Sequence, residues 1–256
     1  MNGVAIMTDL DNVQETAVVC DGGLSFYRGE GMRISIIVPV LNEEHTIAST
    51  IAALHPFAPA EVIVVDGGST DRTREIISCT PAKLLSAPRG RARQMNAGAQ
   101  EAQGDVLLFL HADTRLPPSA LSDIQHALED PTCVGGRFDV RLDRQEWVFR
   151  LIGTLINVRS RLTKSATGDQ AMFIRRTVFE EIGGFPNLPL MEDIALSHLL
   201  KSKGLVACLR SQVVTSARRW EQEGVWRTVL KMWSFRLLFL VGVSPMRLKR
   251  FYGDAR

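Results

Sequence analysis

The chain has 256 residues, 45% of them hydrophobic and 23% charged, and a net charge of only +2. That is the composition of an ordinary globular protein. It excludes disordered, collagen-like and coiled-coil chains, and the near-neutral balance argues against a general nucleic-acid binder. The charge is lopsided: residues 1–32 carry five acids and one base, whereas residues 218–256 carry nine bases and three acids.

Residues 1–32 show no sustained period, are broken by Gly22, Gly23, Gly29 and Gly31, and read as a poorly ordered extension. From Arg33 the pattern changes. Ile34–Val40 is a nearly continuous β-branched run, as a strand buried on both faces would be. Asn42 is placed to cap a helix running to about Leu54, with Glu43 and Glu44 in its first turn. Glu61–Asp66 repeats the strand signal, and Ser69 or Thr70 opens a second helix ending near Ser78. A third strand, Lys83–Ser86, leads through Pro88-Arg89-Gly90 into a helix over residues 91–102, followed by a strand over 105–110. This alternation predicts a parallel sheet wrapped by helices, with any ligand at the carboxyl edge of the strands.

Beyond Asp113 the rhythm loosens. The pattern predicts a helix over 118–129, a strand over 133–142 and an amphipathic helix over 147–162. A strand over 171–174, helices near 176–182 and 192–203, and a strand over 206–209 follow. Residues 221–243 read as helical, and Pro245 interrupts them. The longest uncharged stretch there has 10 residues, half of the ~20 a spanning helix needs, so no membrane span is expected. The start is acidic where a secretory signal is basic. The four cysteines lie far apart with no zinc-like spacing, Cys79 and Cys208 read as small core residues, and a reducing cytoplasm is the expected compartment.

Acids that end hydrophobic strands are the informative feature. Asp66 closes one strand and Asp113 follows another, so both belong at one edge of the sheet; each either caps the helix behind it or helps build a site. A cluster of buried carboxylates is costly unless a metal or ligand neutralises it. Pro39-Val40-Leu41-Asn42-Glu43-Glu44, Val64-Val65-Asp66-Gly67-Gly68-Ser69-Thr70-Asp71, Asn96-Ala97-Gly98 with Gly104-Asp105, and Phe109-Leu110-His111-Ala112-Asp113, followed by Gly183-Gly184-Phe185 and Glu192-Asp193, resemble the motifs of glycosyltransferase family 2 in order and spacing. The resemblance covers residues 33–220 and leaves 221–256 as a helical appendage.

The resemblance implies an α/β GT-A fold with a mostly parallel central sheet. It also implies an inverting transferase that moves a sugar from a nucleotide-diphosphate donor to a hydroxyl acceptor: a small molecule, a lipid-linked molecule or a glycan. On this reading Pro39, Glu43 and Asp66 lie against the nucleotide, and Arg93 stands near the donor phosphates. Asp113 coordinates a divalent cation, Mn2+ or Mg2+, on the pyrophosphate. His111 stands where the family has a second acid and serves as a metal ligand, a ribose contact or a packing residue. Asp193 is the candidate general base and Glu192 its orienting neighbour; a plain acidic first turn is the alternative. Asp169 faces a sugar or sits in a plain turn. Arg219 and Trp220 suit a lid element closing on the donor.

The segment 221–250 reads as a basic amphipathic helix, suited to an anionic membrane surface at the inner face of the membrane or to a homodimer partner, although Arg236 falls opposite Arg227 on the wheel. Two rivals remain: a non-catalytic nucleotide-sugar-binding protein, and a sugar-phosphate nucleotidyltransferase. The latter needs a glycine-rich basic loop where this chain has an acidic one.

Overall fold

The computed structural model describes residues 31–252 and, before them, the backbone of 18–20 and 23–25. Two units result. In the first, β1 (Val18–Cys20) and β2 (Gly23–Ser25) pair antiparallel. The expectation of a poorly ordered extension otherwise lies outside the described residues.

The second unit, from Met32 onward, opens with β3 (Ile34–Val40), α1 (Ile47–Leu54), β4 (Glu61–Asp66), α2 (Thr73–Ser78), β5 (Lys83–Ser86), α3 (Arg91–Glu101) and β6 (Val106–Phe109). Next come β7 (Thr114–Arg115), α4 (Ala120–Ala127), β8 (Cys133–Leu142), α5 (Trp147–Thr163) and a 3-10 turn, Gly168–Gln170, the second after His55–Phe57. It closes with β9 (Met172–Arg175), α6 (Arg176–Glu181), α7 (Glu192–Lys201), β10 (Leu205–Thr215), α8 (Arg218–Glu223), α9 (Val225–Leu240) and α10 (Pro245–Tyr252).

One eight-stranded sheet runs β5-β4-β3-β6-β9-β8-β10-β7. The first four strands are mutually parallel, as expected. β9 is antiparallel to both β6 and β8, and β7 to β10, while β8 and β10 are parallel. The sheet is therefore parallel in its first half and mixed in its second. Register pairs Val40 with Asp66 and Ile37 with Phe109, which sets the ends of β3, β4 and β6 on one edge.

The continuous apolar runs have a simple cause. Ile34, Ile36, Val38 and Val40 of β3 enter one core cluster and Ile37 the other; Val64 of β4 enters the first, Ile63 and Val65 the second. Successive side chains point to opposite faces, and both faces are covered, so the interior positions are apolar except Ser35, whose hydroxyl donates to Glu61.

Several boundaries differ from the sequence reading. α1 starts at Ile47 because Asn42 adopts a left-handed backbone (φ 55°) and spends its side chain across the loop instead of capping. α2 starts at Thr73, whose amide donates to Asp71. β10 runs on to Thr215 through Arg210, Ser211 and Gln212, with a register shift between Cys208 and Gln212 absorbing the polar stretch. Pro245 begins α10, where a missing N–H costs nothing. Among the described cysteines Cys133 is the buried one, while Cys79, just past α2, is exposed and Cys208 is half-buried, on the part of β10 that pairs with β8 alone.

Candidate active site

The two acidic loops at the carboxyl edge are laced together. Asn42 Oδ1 accepts from the Thr70 amide (2.9 Å), the Asn42 amide donates to Ser69 Oγ (2.9 Å), and the Arg72 amide donates to Glu44 Oε2 (3.0 Å). Gln94 of α3 donates through Nε2 to both Val40 O and Val65 O at 2.8 Å, stitching β3 to β4 just where they end. Pro39, buried in β3, lies past the last rung shared with β6, where no amide is needed on that side.

Asp66 is fully buried at the end of β4. Burial pushes its carboxyl pKa up, but hydrogen bonds from Ser69, Arg74 and Gly68 outweigh that and hold it below the usual carboxylate range. Glu43 is also buried; its Oε2 accepts from Thr46 Oγ1 (2.8 Å) and lies 4.0 Å from Arg218 of α8. The basic element after β10 thus reaches the first acidic loop.

Asn96 explains why two distant motifs occur together. Its amide clamps the backbone of Phe185, donating to the carbonyl at 2.9 Å and accepting from the N–H at 2.8 Å. Gly183 and Gly184 turn the chain there with φ of 77° and 76°, a region glycine enters without strain. Gly98 lets α3 approach β3: a Cβ there would lie 2.5 Å from Ile37 Cγ2. Phe185 in turn packs edge-on against Phe109, ring centres 4.9 Å apart.

These rings floor a small pocket with about 280 Å³ of empty space, counting its open mouth, lined by Met95, Phe109, His111, Gly168, Met172, Phe185, Glu192 and Asp193. Asp193 Oδ2 accepts from the Gly168 amide (2.8 Å) and Oδ1 from the Ile194 amide (2.7 Å). Burial pushes the Asp193 carboxyl above its ordinary range despite these bonds. Glu192 is buried, and burial together with the charge of Asp193 pushes its pKa up to about 7. A pair of buried acids whose affinity for protons is raised, in an apolar pocket, suits acid–base work. His111 shares the pocket and crowds Gly168, where a Cβ would stand 2.6 Å from its Nε2.

The pocket therefore brings together three of the residues picked from sequence: His111, Glu192 and Asp193. Asp66, Glu43 and Pro39 occupy the same sheet edge on the side of β3 and β4. Asp113 is half-buried beyond β6. No group of three or more His, Cys, Asp or Glu side chains gathers around a metal position among the described residues. By their chemistry a carboxylate and an imidazole, Asp113 and His111, suit a divalent cation only when further ligands complete its shell. Arg93 is exposed on α3 and donates to Asn187 Oδ1 (3.2 Å). Asp169 sits in the turn preceding β9, its Oδ1 buried. Trp220 is buried in the larger core cluster, anchoring α8, and Arg219 lies 3.5 Å from Glu223.

Sequence reasoning missed the aromatic and methionine lining, which reads as plain core, and Gln94, whose buried amide looks like a surface residue in the pattern. It also missed that Arg159 and Arg236 lie within electrostatic reach of Asp193, and Arg137 within reach of Arg159. Arg236, which spoils the wheel of α9, does so because it turns inward and donates to Ser165 Oγ (3.2 Å).

Known proteins resemble the chain in sequence and in fold. Undecaprenyl-phosphate 4-deoxy-4-formamido-L-arabinose transferase of Pectobacterium carotovorum (strain PC1) is 34% identical over 158 residues, covering 56% of this chain and 47% of that protein. The Serratia proteamaculans protein of the same name is 28% identical over 158 residues, covering 56% and 48%. The chain spans about half the length of these curated relatives. Among solved structures, the mannosyltransferase PcManGT from Pyrobaculum calidifontis, in complex with GDP-Man and Mn2+, aligns with a TM-score of 0.57 at 22% identity, covering 72% of this chain and 56% of that one. Glucosyl-3-phosphoglycerate synthase from Mycobacterium tuberculosis, with Mn2+ and UDP, aligns at 0.54 and 22% identity, covering 72% and 71%. The shared architecture is the GT-A fold. The model of glycosyl transferase family 2 matches residues 35–183, more than half of the chain, and the chain belongs to that family.

Proposed function

We propose that the chain transfers a sugar from a nucleoside-diphosphate donor to a hydroxyl acceptor in one inverting step, with Asp193 as general base. The observation that carries this reading is the Asp193 carboxylate, fixed by two backbone amides in a pocket that opens beside the acidic sheet edge. The nucleotide lies against Pro39, Glu43 and Asp66, with Asp66 accepting from a base N–H. Arg93 and Arg219 face the diphosphate. Asp113, with His111 as the second candidate, would hold a divalent cation, Mn2+ or Mg2+, whose chemistry would be to offset negative charge on the leaving diphosphate. Asp193 takes the proton of the attacking hydroxyl, which approaches opposite the leaving group, and Glu192 keeps the pocket acidic and orients its neighbour. Asp169 supplies a hydrogen-bond acceptor for a sugar hydroxyl.

The nucleotidyltransferase alternative loses ground, since Asn42 to Glu44 make an acidic, amide-laced loop and no basic phosphate cradle. A binding protein without turnover would not need an acidic pair raised toward neutrality. Contact with an anionic lipid surface at the inner membrane face also belongs to this reading. Trp226, Leu230, Trp233 and Leu237 of α9 recur at helical spacing and are each 60% or more exposed, in the part of the chain that carries the positive excess. Two such tails would repel each other in a dimer, whereas acidic headgroups complement them. No helix among the described residues is long and apolar enough to cross a membrane.

A thermal-shift series with nucleoside diphosphates tests the donor assignment. A ligand at 100 times its Kd stabilises by about 2.7 kcal/mol, so one diphosphate should raise the Tm by several degrees. Asp113→Asn should remove the part of that rise that depends on manganese. No shift with any nucleoside diphosphate, with or without manganese, refutes the reading.

A further inference from the structure

Beside Asp193 lies a second polar cluster whose arginines the transfer step leaves unused. Arg137 stands on β8, Arg159 on α5, Arg236 on α9 and Asp169 in the turn before β9. Arg137 is 1% exposed, and its Nη1 donates to Phe138 O and to Asp139. Its Nε and Nη2 are buried with no hydrogen-bond partner among the described residues. The same is true of Nε and Nη2 of Arg159 and of Asp169 Oδ1.

Asp139 offers no relief, because Arg137 and Arg161 already share it. Arg159 lies within electrostatic reach of Asp169, Asp193, Arg236 and Arg137. Four guanidinium groups thus stand against the carboxylates of Asp139, Asp169 and Asp193. Buried donors without partners are costly, and a fold keeps them where a ligand fills the gap. A planar fork of N–H groups with surplus positive charge matches an oxyanion. Burial lowers the Arg159 pKa only to about 10, so the guanidinium stays charged at neutral pH.

We propose that this cluster docks an oxyanion of the phosphate or carboxylate class carried by the acceptor, held by Arg159, Arg236 and the open edge of Arg137. The anion would anchor the acceptor and present its hydroxyl to Asp193, while Asp169 Oδ1 accepts from a neighbouring hydroxyl. The inference rests on the reading of Asp193 as base only in calling the bound molecule an acceptor.

The test is calorimetric titration of the full chain with inorganic phosphate, in the presence of a nucleoside diphosphate and Mn2+ so that the donor side is filled. Wild type should bind phosphate, and Arg159→Gln and Arg236→Gln should each weaken it about tenfold, in line with loss of a charge-assisted bond. Arg159→Lys should restore part of the affinity, and nucleotide affinity should stay level throughout. Should Arg159→Gln fail to fold, Arg236→Gln, which is half-buried, carries the same comparison.

Vesicles of phosphatidylcholine with phosphatidic acid, against phosphatidylcholine alone, separate the sources. Arg159-dependent sedimentation on the former assigns the phosphate to a lipid; phosphate binding without it assigns a soluble acceptor. Equal phosphate affinity in wild type and variants, or binding of neither probe to wild type, overturns the proposal. Failure of the nucleoside diphosphate to bind would instead refute the donor reading, leaving the phosphate comparison intact.

Discussion

Replacing Asn96 by Ala removes both hydrogen bonds to the Phe185 backbone, at 2.8 and 2.9 Å, and leaves an N–H and a carbonyl unpaired in a part-buried turn. Each orphaned group costs about 1–3 kcal/mol, so the pair predicts a loss of about 2–4 kcal/mol after partial rescue by water. Asn96→Asp should not restore it: the carboxylate can still accept from the Phe185 N–H, but its other oxygen then faces the Phe185 carbonyl and repels it. Urea unfolding followed by circular dichroism reads this as a fall in the midpoint at constant slope. Because Phe185 floors the pocket against Phe109, the same variant should loosen the acceptor side while leaving nucleotide affinity unchanged. A change within about 0.5 kcal/mol, the range of an ordinary surface substitution, would refute the claim that this amide joins the two motifs.

Other outcomes follow from the same geometry. Gly98→Ala puts a Cβ 2.5 Å from Ile37 Cγ2 and 3.0 Å from Val65 Cγ2, so α3 must move off the sheet at a cost of about 1–3 kcal/mol, measurable in the same urea titration. Glu192 has a folded pKa of about 7, above its ordinary value of 4.5; the folded state therefore binds the extra proton, and stability should fall as pH rises from about 4.5 through 7. Glu192→Gln should flatten that part of a Tm-against-pH curve, and an unchanged curve would contradict the assignment. Trp226→Glu with Trp233→Glu should abolish sedimentation with anionic vesicles while the monomer mass by light scattering stays the same; loss of a dimer instead would assign the face to a second copy.

The first half of the fold was legible because its strands bury both faces. Ile34–Val40 is apolar but for Ser35, and Glu61–Asp66 is apolar between its two terminal acids, and no helix pattern fits them. The direction of β9 was not legible, since three buried residues and one arginine read the same either way along the sheet. Helix starts shifted where polar side chains serve a distant loop, as Asn42 serves Thr70. In the site, Glu192 and Asp193 were found through their motif, but the bond from Asp193 to Gly168 joins residues 25 apart and has no local signature. Arg137 and Arg159 were invisible for a different reason: in a sequence an arginine reads as solvent-facing, and only packing of α5 on β8 reveals these as inward.

The central claim is that Asp193 acts on the proton of the attacking group and not on the donor. Asp193→Asn keeps the size of the side chain and removes its basicity. With water as acceptor, release of nucleoside diphosphate from the donor that gives the largest thermal shift should fall at least about a hundredfold, the scale of a lost general base, while donor affinity by titration stays within about twofold. Turnover near the wild-type rate, or an equal loss of turnover and donor affinity, would contradict the account.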